Sequence, residues 1–339
     1  MDCSDLILNS VPTVLAAGDW TFPMSSPLGI VTFFVLAALG TTVLGLLTRW
    51  VDRKVTARIQ YRVGPPWFQP FADVLKLLGK ETVIPSSAQK TLFLMAPVVG
   101  FAGTAVAAAM LWGVNLTGKG FMGDLIVVIY LLTMPSLAII LGGMSSGNSG
   151  AALGAGREMK LVFSYELPFI LALATVVIKA GQTLPTGETL KLDGLILAQQ
   201  QSGWMITHAS GVIAFVVAVL CAQAKLGLVP FDMAEAEAEI MGGSYIEYSG
   251  APLAVLYLMK SMLMAVLPLL FITVFWGGIS PAPSKGWIWA GLAYVLVIVL
   301  FVLIRNTNPR LRIEQAVKFF WFMLTPLAAV GAVLAAMDL

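Results

Sequence analysis

Residues 207–276 read THASGVIAFVVAVLCAQAKLGLVPFDMAEAEAEIMGGSYIEYSGAPLAVLYLMKSMLMAVLPLLFITVFW. Two apolar runs, 207–229 and 251–276, flank a loop at 230–250. Each run has the roughly 20 residues that a helix needs to cross a bilayer, so the loop lies at a membrane edge. Like charges repel there and desolvation opposes ionisation, so an acidic cluster indicates proton handling or docking of a partner. The loop holds five carboxylates, those of Asp232, Glu235, Glu237, Glu239 and Glu247.

The composition of the whole chain is that of a membrane protein. Of its 339 residues, 58% are hydrophobic and 11% are charged, whereas soluble domains have about 25% charged residues. We expect an external, interfacial N-terminal segment at 1–27 and a single all-α polytopic membrane domain at 28–339. About eight transmembrane helices are predicted, at 28–50, 91–114, 124–144, 160–180, 207–229, 251–276, 286–305 and 316–337.

Lysine and arginine set the predicted orientation. They are concentrated in the odd-numbered loops between the predicted spans, whereas the second, fourth and sixth loops hold one lysine each. By the positive-inside rule, the odd loops are cytoplasmic and both termini are external, as in a multi-pass protein of the cell inner membrane. Long loops on one face are typical of a platform for a soluble partner. The predicted cytoplasmic loops are 51–90, 145–160, 230–250 and 306–315.

The first of these loops contains RIQYRVGPPWFQPFADVLKLLGKE at 58–81. The Gly-Pro-Pro at 64–66 forces a turn. After it, Phe71, Val74, Leu75 and Leu78 recur at helical spacing, which predicts an amphipathic helix lying on the membrane. Simple anchoring of that helix, and contact of the basic residues with lipid headgroups, are alternatives to a docking role.

Two charges fall inside predicted spans. Glu166 lies about one and a half turns into 160–180, and Lys260 lies near the middle of 251–276. Such charges are rare in membranes and indicate function. For Glu166 the alternative is a structural pair with Arg157 or Lys160. For Lys260 we expect a carboxylate partner, either Glu166 or a residue of the acidic loop.

Within the acidic loop, Asp232, Glu235 and Glu239 have the spacing i, i+3 and i+7. A helix would place these three carboxylates on one face and point Glu237 elsewhere. A solvated acidic helix start, where carboxylates favour the N-terminal dipole, is the alternative.

Several site classes are excluded by composition. His208 is the only histidine, and the two cysteines, Cys3 and Cys221, are far apart, which argues against a haem, zinc or disulfide framework. There is no phosphate-binding loop and no dinucleotide fingerprint. We therefore predict no bound metal or cofactor, no nucleic-acid partner and no catalytic residue.

Four separated motifs together resemble the H subunit (subunit 1) family of respiratory complex I and its counterparts in membrane-bound, energy-converting nickel–iron hydrogenases. The motifs are QPFAD at 69–73 with Lys76 and Lys80-Glu81; Arg157 with SYE at 164–166; PFD at 230–232 through EYSG at 247–250; and PRLRIEQ at 309–315 before Trp321.

The resemblance implies a subunit of an oxidoreductase or translocase complex that has no redox centre of its own. Partner subunits on the cytoplasmic face would hold the iron–sulfur clusters and a nickel–iron centre or flavin, and antiporter-like subunits and lipid would adjoin it in the membrane. Implied ion-coupling residues, with Lys260 added from its depth, are Glu166, Asp232, Glu235, Glu237, Glu239, Glu247 and Lys260. Implied residues of a docking surface or quinone-like cavity are Arg58, Arg62, Gln69, Asp73, Lys76, Glu81, Arg157, Glu158, Arg310 and Arg312.

Three features separate the chain from complex I and favour the hydrogenase branch. The segment from Gly64 to Gln69 is shorter than in complex I, GAGRE at 154–158 is similar to the hydrogenase branch, and Lys260 replaces a glutamate. We therefore favour a subunit that docks an iron–sulfur arm and couples electron transfer to H⁺ or Na⁺ translocation. The alternative is a quinone-binding H subunit of an NADH:quinone oxidoreductase. A secondary transporter would typically show inverted repeats, which the sequence lacks.

Overall fold

The computed structural model describes residues 27–120, 123–184, 189–279 and 286–337. Within these ranges the chain forms helices and no β-strand. The predicted N-terminal segment 1–27 lies outside the described residues except for Pro27. The helices are α1 (Pro27–Ile59), α2 (Gln69–Leu78), α3 (Lys90–Thr117), α4 (Asp124–Leu131), α5 (Met134–Ser145), α6 (Ser149–Ala180), α7 (Leu192–Ser202), α8 (Ala209–Lys225), α9 (Glu237–Ile240), α10 (Gly250–Phe275), α11 (Gly286–Thr307), α12 (Ile313–Phe319) and α13 (Thr325–Ala336).

The predicted polytopic all-α fold is confirmed. Among the described residues, seven helical segments are long and apolar enough to cross a membrane, and α8 is a shorter apolar helix of 17 residues. The seven are α1, α3, α4 with α5, α6, α10, α11, and α12 with α13. In the most apolar part of α10, 78% of the residues are buried, against 22% in α1. Helix α10 is therefore central, and α1 is peripheral.

Several helices differ in length from the predicted spans. Helix α1 continues to Ile59 and α6 begins at Ser149, because a polar sequence continues a helix beyond the bilayer without any hydropathy signal. The predicted loop 145–160 is therefore mostly helical. Conversely, α8 ends at Lys225, short of the predicted 229. Gly227 there has a φ of 62°, a left-handed conformation that favours glycine and ends helices.

Prolines interrupt two spans without ending them. Helices α4 and α5 are separated at residues 132–133, just before Pro135. Between α12 and α13, residues Phe320–Leu324 form a π-helical turn ahead of Pro326. Proline lacks the N–H that would continue the ladder. Just before it, the backbone N–H and the hydroxyl of Thr325 both donate to the carbonyl of Phe320.

The predicted amphipathic helix is confirmed as α2. Pro70 and Val74 are buried, whereas Leu75 and Leu78 are exposed. The buried side packs on α1 and α10. Helix α2 therefore presents an apolar outer surface beside the end of α1.

On the opposite side of the bundle, the polar residues 189–206 have a structural role. Helix α7 lies among them, and the Gln199 amide donates to the carbonyl of Val274 at 2.8 Å. The buried carboxylate of Asp124 accepts from the backbone N–H of Leu192 at 2.7 Å. These bonds fix α7 across the ends of α4 and α10.

Helices α1 and α10 approach so closely at Gly45 that a Cβ atom there would collide with the backbone carbonyl of Ser261. We expect Gly45→Ala to force the helices apart, because overpacking costs about 1–3 kcal/mol. The melting temperature of the detergent-solubilised protein should fall by several degrees. Gly40→Ala, on the same helix, is the matched control because a Cβ there meets nothing within 4 Å. Equal melting temperatures for the two variants would show that this contact is not a tight one.

Candidate ion-coupling and docking site

The acidic loop is held by cations from three different parts of the chain. The Arg310 guanidinium lies 2.8 Å from the Asp232 carboxylate, and that of Arg157 lies 2.6 Å from Glu239. The Lys260 ammonium donates to Glu235. Desolvation raises the pKa of Asp232 although Arg310 partly offsets it, so this carboxyl is easier to protonate than an exposed one.

The predicted single helical face for these acids is wrong. Residues 230–236 form turns, and only Glu237–Ile240 are helical. Pro230 and the left-handed Gly242 and Gly243 limit any helix here. Each carboxylate turns to its own cation instead. The side chain of Glu237 lies outside the described residues, and Glu247 accepts from the Asn148 amide at 2.5 Å.

Lys260 and Glu235, here called the Lys260 pair, join a spanning helix to the acidic loop. Lys260 lies about ten residues into α10, and its side chain is 17% exposed. The Tyr245 ring lies 5.0 Å from its ammonium, which adds a cation–π attraction. Of the two expected partners, the structure selects the acidic loop.

Glu158 adjoins this pair rather than a docking surface. It is 4% exposed, so it cannot contact a soluble partner directly. The Ser136 hydroxyl and the charges of Glu235 and Lys260 all lie close enough to act on it electrostatically. The part of α6 that falls within the predicted loop 145–160 buries this side chain. Hydropathy alone did not show that this part of the chain is helical.

Glu166 pairs with a lysine that the sequence analysis did not propose. The fully buried Lys225 ammonium lies 3.1 Å from the Glu166 carboxylate, and we call these two residues the Lys225 pair. The predicted partners Arg157 and Lys160 are wrong. At about 3.6 residues per turn, Arg157 faces the opposite side of α6 from Glu166. Lys160 is exposed.

The aromatic rings of Tyr165 and Phe169 lie 5.4 and 5.0 Å from the Lys225 ammonium. Tyr165 also shares a 3.1 Å hydrogen bond with Ser136. Since Ser136 also lies near Glu158, polar groups extend from the Lys225 pair toward the Lys260 pair. The sequence feature that could have identified Lys225 is its position as a basic residue at the end of an apolar run.

Gln69 and Asp73 of the first motif come together on α2. The Asp73 carboxylate accepts from Arg53 at 2.8 Å and from Gln69 at 2.9 Å. Burial opposes ionisation of Asp73, but the hydrogen bonds from Arg53 and Gln69 outweigh it and lower the pKa of this carboxyl. Arg53 also donates to the Tyr257 hydroxyl at 3.0 Å. This links α2 through α1 to α10, one turn from Lys260.

A further ion pair, between Asp52 and Arg305, was missed by sequence reasoning. The Arg305 guanidinium donates to Asp52 at 2.5 Å and joins the ends of α1 and α11. Asp52 is buried, and its second carboxylate oxygen has no hydrogen-bond partner among the described residues.

The remaining predicted docking residues face outward. None of them makes an ion pair with another residue in the described ranges. Their charges are therefore available to a partner. They are Arg58, Arg62, Lys76, Glu81 and Arg312. The described part of the chain also contains no group of three or more side chains that could ligate a metal.

Comparison with known proteins confirms the family that the four motifs indicate. Residues 30–336 match the family model described as NADH dehydrogenase. The H subunit of NADH-quinone oxidoreductase from Thermomicrobium roseum is 35% identical over 329 residues, covering 89% of this chain and 94% of the relative. The corresponding protein of Anoxybacillus flavithermus is 32% identical over 309 residues, covering 88% and 89%.

A similar solved structure is that of the membrane-bound sulfane sulfur reductase, an archaeal respiratory membrane complex. It superposes with a TM-score of 0.81 at 30% identity, covering 91% of this chain and 99% of that one. Sequence and structure thus agree over almost the full length. The chain belongs to the NADH dehydrogenase family of membrane subunits, which includes the H subunit of NADH-quinone oxidoreductase.

Proposed function

We propose that this protein docks an iron–sulfur redox arm and couples its electron transfer to translocation of H⁺ or Na⁺. The Lys260 pair carries the proposal. It connects α10, the most buried of the spanning helices, to the loop that a partner would contact. A charge that arrives at a redox centre above this loop would act on the pair through a poorly screening medium, where electrostatic effects are strong.

The proposed path of a protonation change into the membrane follows the contacts that lie between the Lys260 pair and the Lys225 pair. The charges of the Lys260 pair act on Glu158, which lies near Ser136. Ser136 bonds with Tyr165, and the Lys225 ammonium lies over the ring of Tyr165. A protonation change at Glu235 would therefore reach the Lys225 pair through adjacent groups. Neighbouring membrane subunits would receive it next.

The docking surface comprises the outward-facing charges of the first loop other than Arg62 and those of residues 310–312, together with the acidic loop. It contains both signs, so it fits a partner of mixed charge and can fix the partner's orientation. The peripheral α1 and the α12–α13 segment, whose apolar parts are 22% and 28% buried, offer surfaces to lipid and to antiporter-like membrane subunits.

Quinone binding is the second candidate, because the names of the curated relatives include quinone. Against it stand the short Gly64–Gln69 turn and a pocket beside that turn, which is lined by Arg53, Arg62 and Arg305. Extraction of the purified complex separates the two candidates. A stoichiometric quinone, or inhibition by quinone-site blockers, would favour the quinone-reducing form, and its absence would favour direct coupling.

Lys260→Met should abolish ion transport while electron transfer through the assembled complex continues. Without the ammonium, Glu235 loses the partner that ties the acidic loop to α10, so a charge on the redox arm would no longer act on the spanning helix through this pair. Ion uptake into vesicles and the electron-transfer rate would be measured on the same preparation. If the variant fails to assemble, Lys260→Met with Glu235→Gln removes both charges and leaves neither buried alone.

The matched control is Lys119→Met, which removes an exposed lysine outside the site and should transport normally. Normal transport in the Lys260→Met variant would contradict the coupling role.

Reversing two exposed charges, Lys76→Glu with Arg312→Glu, should weaken docking of the soluble arm. Exposed ion pairs contribute about 0.2–1 kcal/mol each, and reversal adds repulsion, so we expect roughly a tenfold loss of affinity. Retention of the soluble subunits on the membrane would be measured at increasing salt. Lys119→Glu is the control for a charge reversal elsewhere. Unchanged retention of the arm in the double variant would place the docking surface elsewhere.

A further inference from the structure

A pocket of about 240 Å³ lies between the end of α1, the turn at 60–65 and the end of α11. Three guanidinium groups line it, those of Arg53, Arg62 and Arg305. No acidic side chain belongs to the wall. The remaining lining residues are Thr56, Ala57, Gln60, Val63, Gly64 and Pro65.

The pocket has an excess of positive charge. Arg53 is paired with Asp73, and Arg305 is paired with Asp52. Arg62 makes no ion pair with another residue in the described ranges and is exposed. The guanidinium groups of Arg53 and Arg305 each have more N–H donors than their carboxylate partner uses, and a planar guanidinium fork matches phosphate oxygens. A neutral quinone ring would leave this charge uncompensated, whereas a phosphate would neutralise it.

The pocket lies at the level of lipid headgroups. The apolar part of α1 begins at Leu28, and at about 1.5 Å per residue Arg53 lies roughly 38 Å along the helix. That position is about 8 Å beyond a hydrocarbon core of about 30 Å, at the outer edge of the headgroup layer, which adds about 5–8 Å on each side of the core. In the adjoining turn, Val63 and Trp67 are highly exposed, and a tryptophan is a typical residue of the membrane interface.

Apolar surfaces continue from the pocket toward the bilayer centre. Leu39 and Val43 on α1 are exposed, and α1 is in contact with α11. A phosphate held among the arginines would leave attached acyl chains along these faces. Free phosphate would contact only the arginines and would leave the apolar faces of the helices uncovered.

We propose that this pocket binds the phosphodiester group of an anionic phospholipid, with Arg62 as the uncommitted cation and the acyl chains against α1 and α11. The lipid would fix the turn at 60–65 relative to α11. The volume suits a headgroup, since pockets for larger ligands are typically about 300–1,000 Å³. This inference does not depend on the coupling role proposed for the Lys260 pair.

The test uses the purified membrane complex in detergent and native mass spectrometry with dioctanoyl phosphatidylglycerol, dioctanoyl phosphatidylcholine and inorganic phosphate. We expect preferential binding of phosphatidylglycerol. Arg62→Gln should weaken it about fivefold, the effect of one basic residue near an anionic lipid. Lys90→Gln is the matched control, because it removes an exposed lysine that does not line the pocket.

Equal binding of the two lipids, or an unchanged affinity in Arg62→Gln, would overturn the proposal. Phosphate that competes as strongly as phosphatidylglycerol would show a site for free anions and overturn the lipid assignment. Binding to the isolated full chain but not to the complex would assign the pocket to a protein partner. Normal assembly of Arg62→Gln, followed by the same measurement, excludes a folding defect as the cause.

Discussion

The packing of the acidic loop against α10 depends on the energetic cost of placing a lysine ammonium on an apolar helix. Even on the lenient insertion scales this cost is a few kcal/mol, and Lys260 lies on the helix with the most buried apolar surface. Glu235 offsets the cost by pairing with it, and the Tyr245 ring adds to the stabilisation. Because Glu235 lies in the acidic loop and Lys260 lies on α10, this pair also ties the loop to that helix.

The same constraint explains how the loop can keep its carboxylates at a membrane edge. Asp232, Glu235 and Glu239 each have a separate cation, supplied by Arg310, Lys260 and Arg157. Separate partners keep the acids apart and reduce their repulsion. Loss of Lys260 or Arg310 would leave a partly buried charge unpaired, which is much more costly than the pair itself is stabilising.

The fold was largely predictable from sequence because hydropathy reports directly on burial in a bilayer. The spans near Lys90–Thr117, Gly250–Phe275 and Gly286–Thr307 agree with the predictions within a few residues. Helix ends that extend into water carry no such signal, so the beginning of α6 and the end of α1 were missed.

Residue types indicated which charges matter, but not which pairs form. The pairing of Asp52 with Arg305 joins residues 253 positions apart, and no local pattern predicts it. Glu166 was recognised from its depth, yet its partner Lys225 lies on another helix. Glu158 was placed on the wrong surface because hydropathy did not extend α6 that far. Tertiary packing decides each of these contacts.

The central claim is that the redox state of a docked iron–sulfur arm changes the protonation of Glu235 through the Lys260 pair. Redox-induced infrared difference spectroscopy of the assembled complex tests it directly. The account predicts a carboxyl band that changes on reduction and disappears in both Glu235→Gln and Lys260→Met. A band that persists unchanged in these two variants, or no carboxyl band at all, would contradict it.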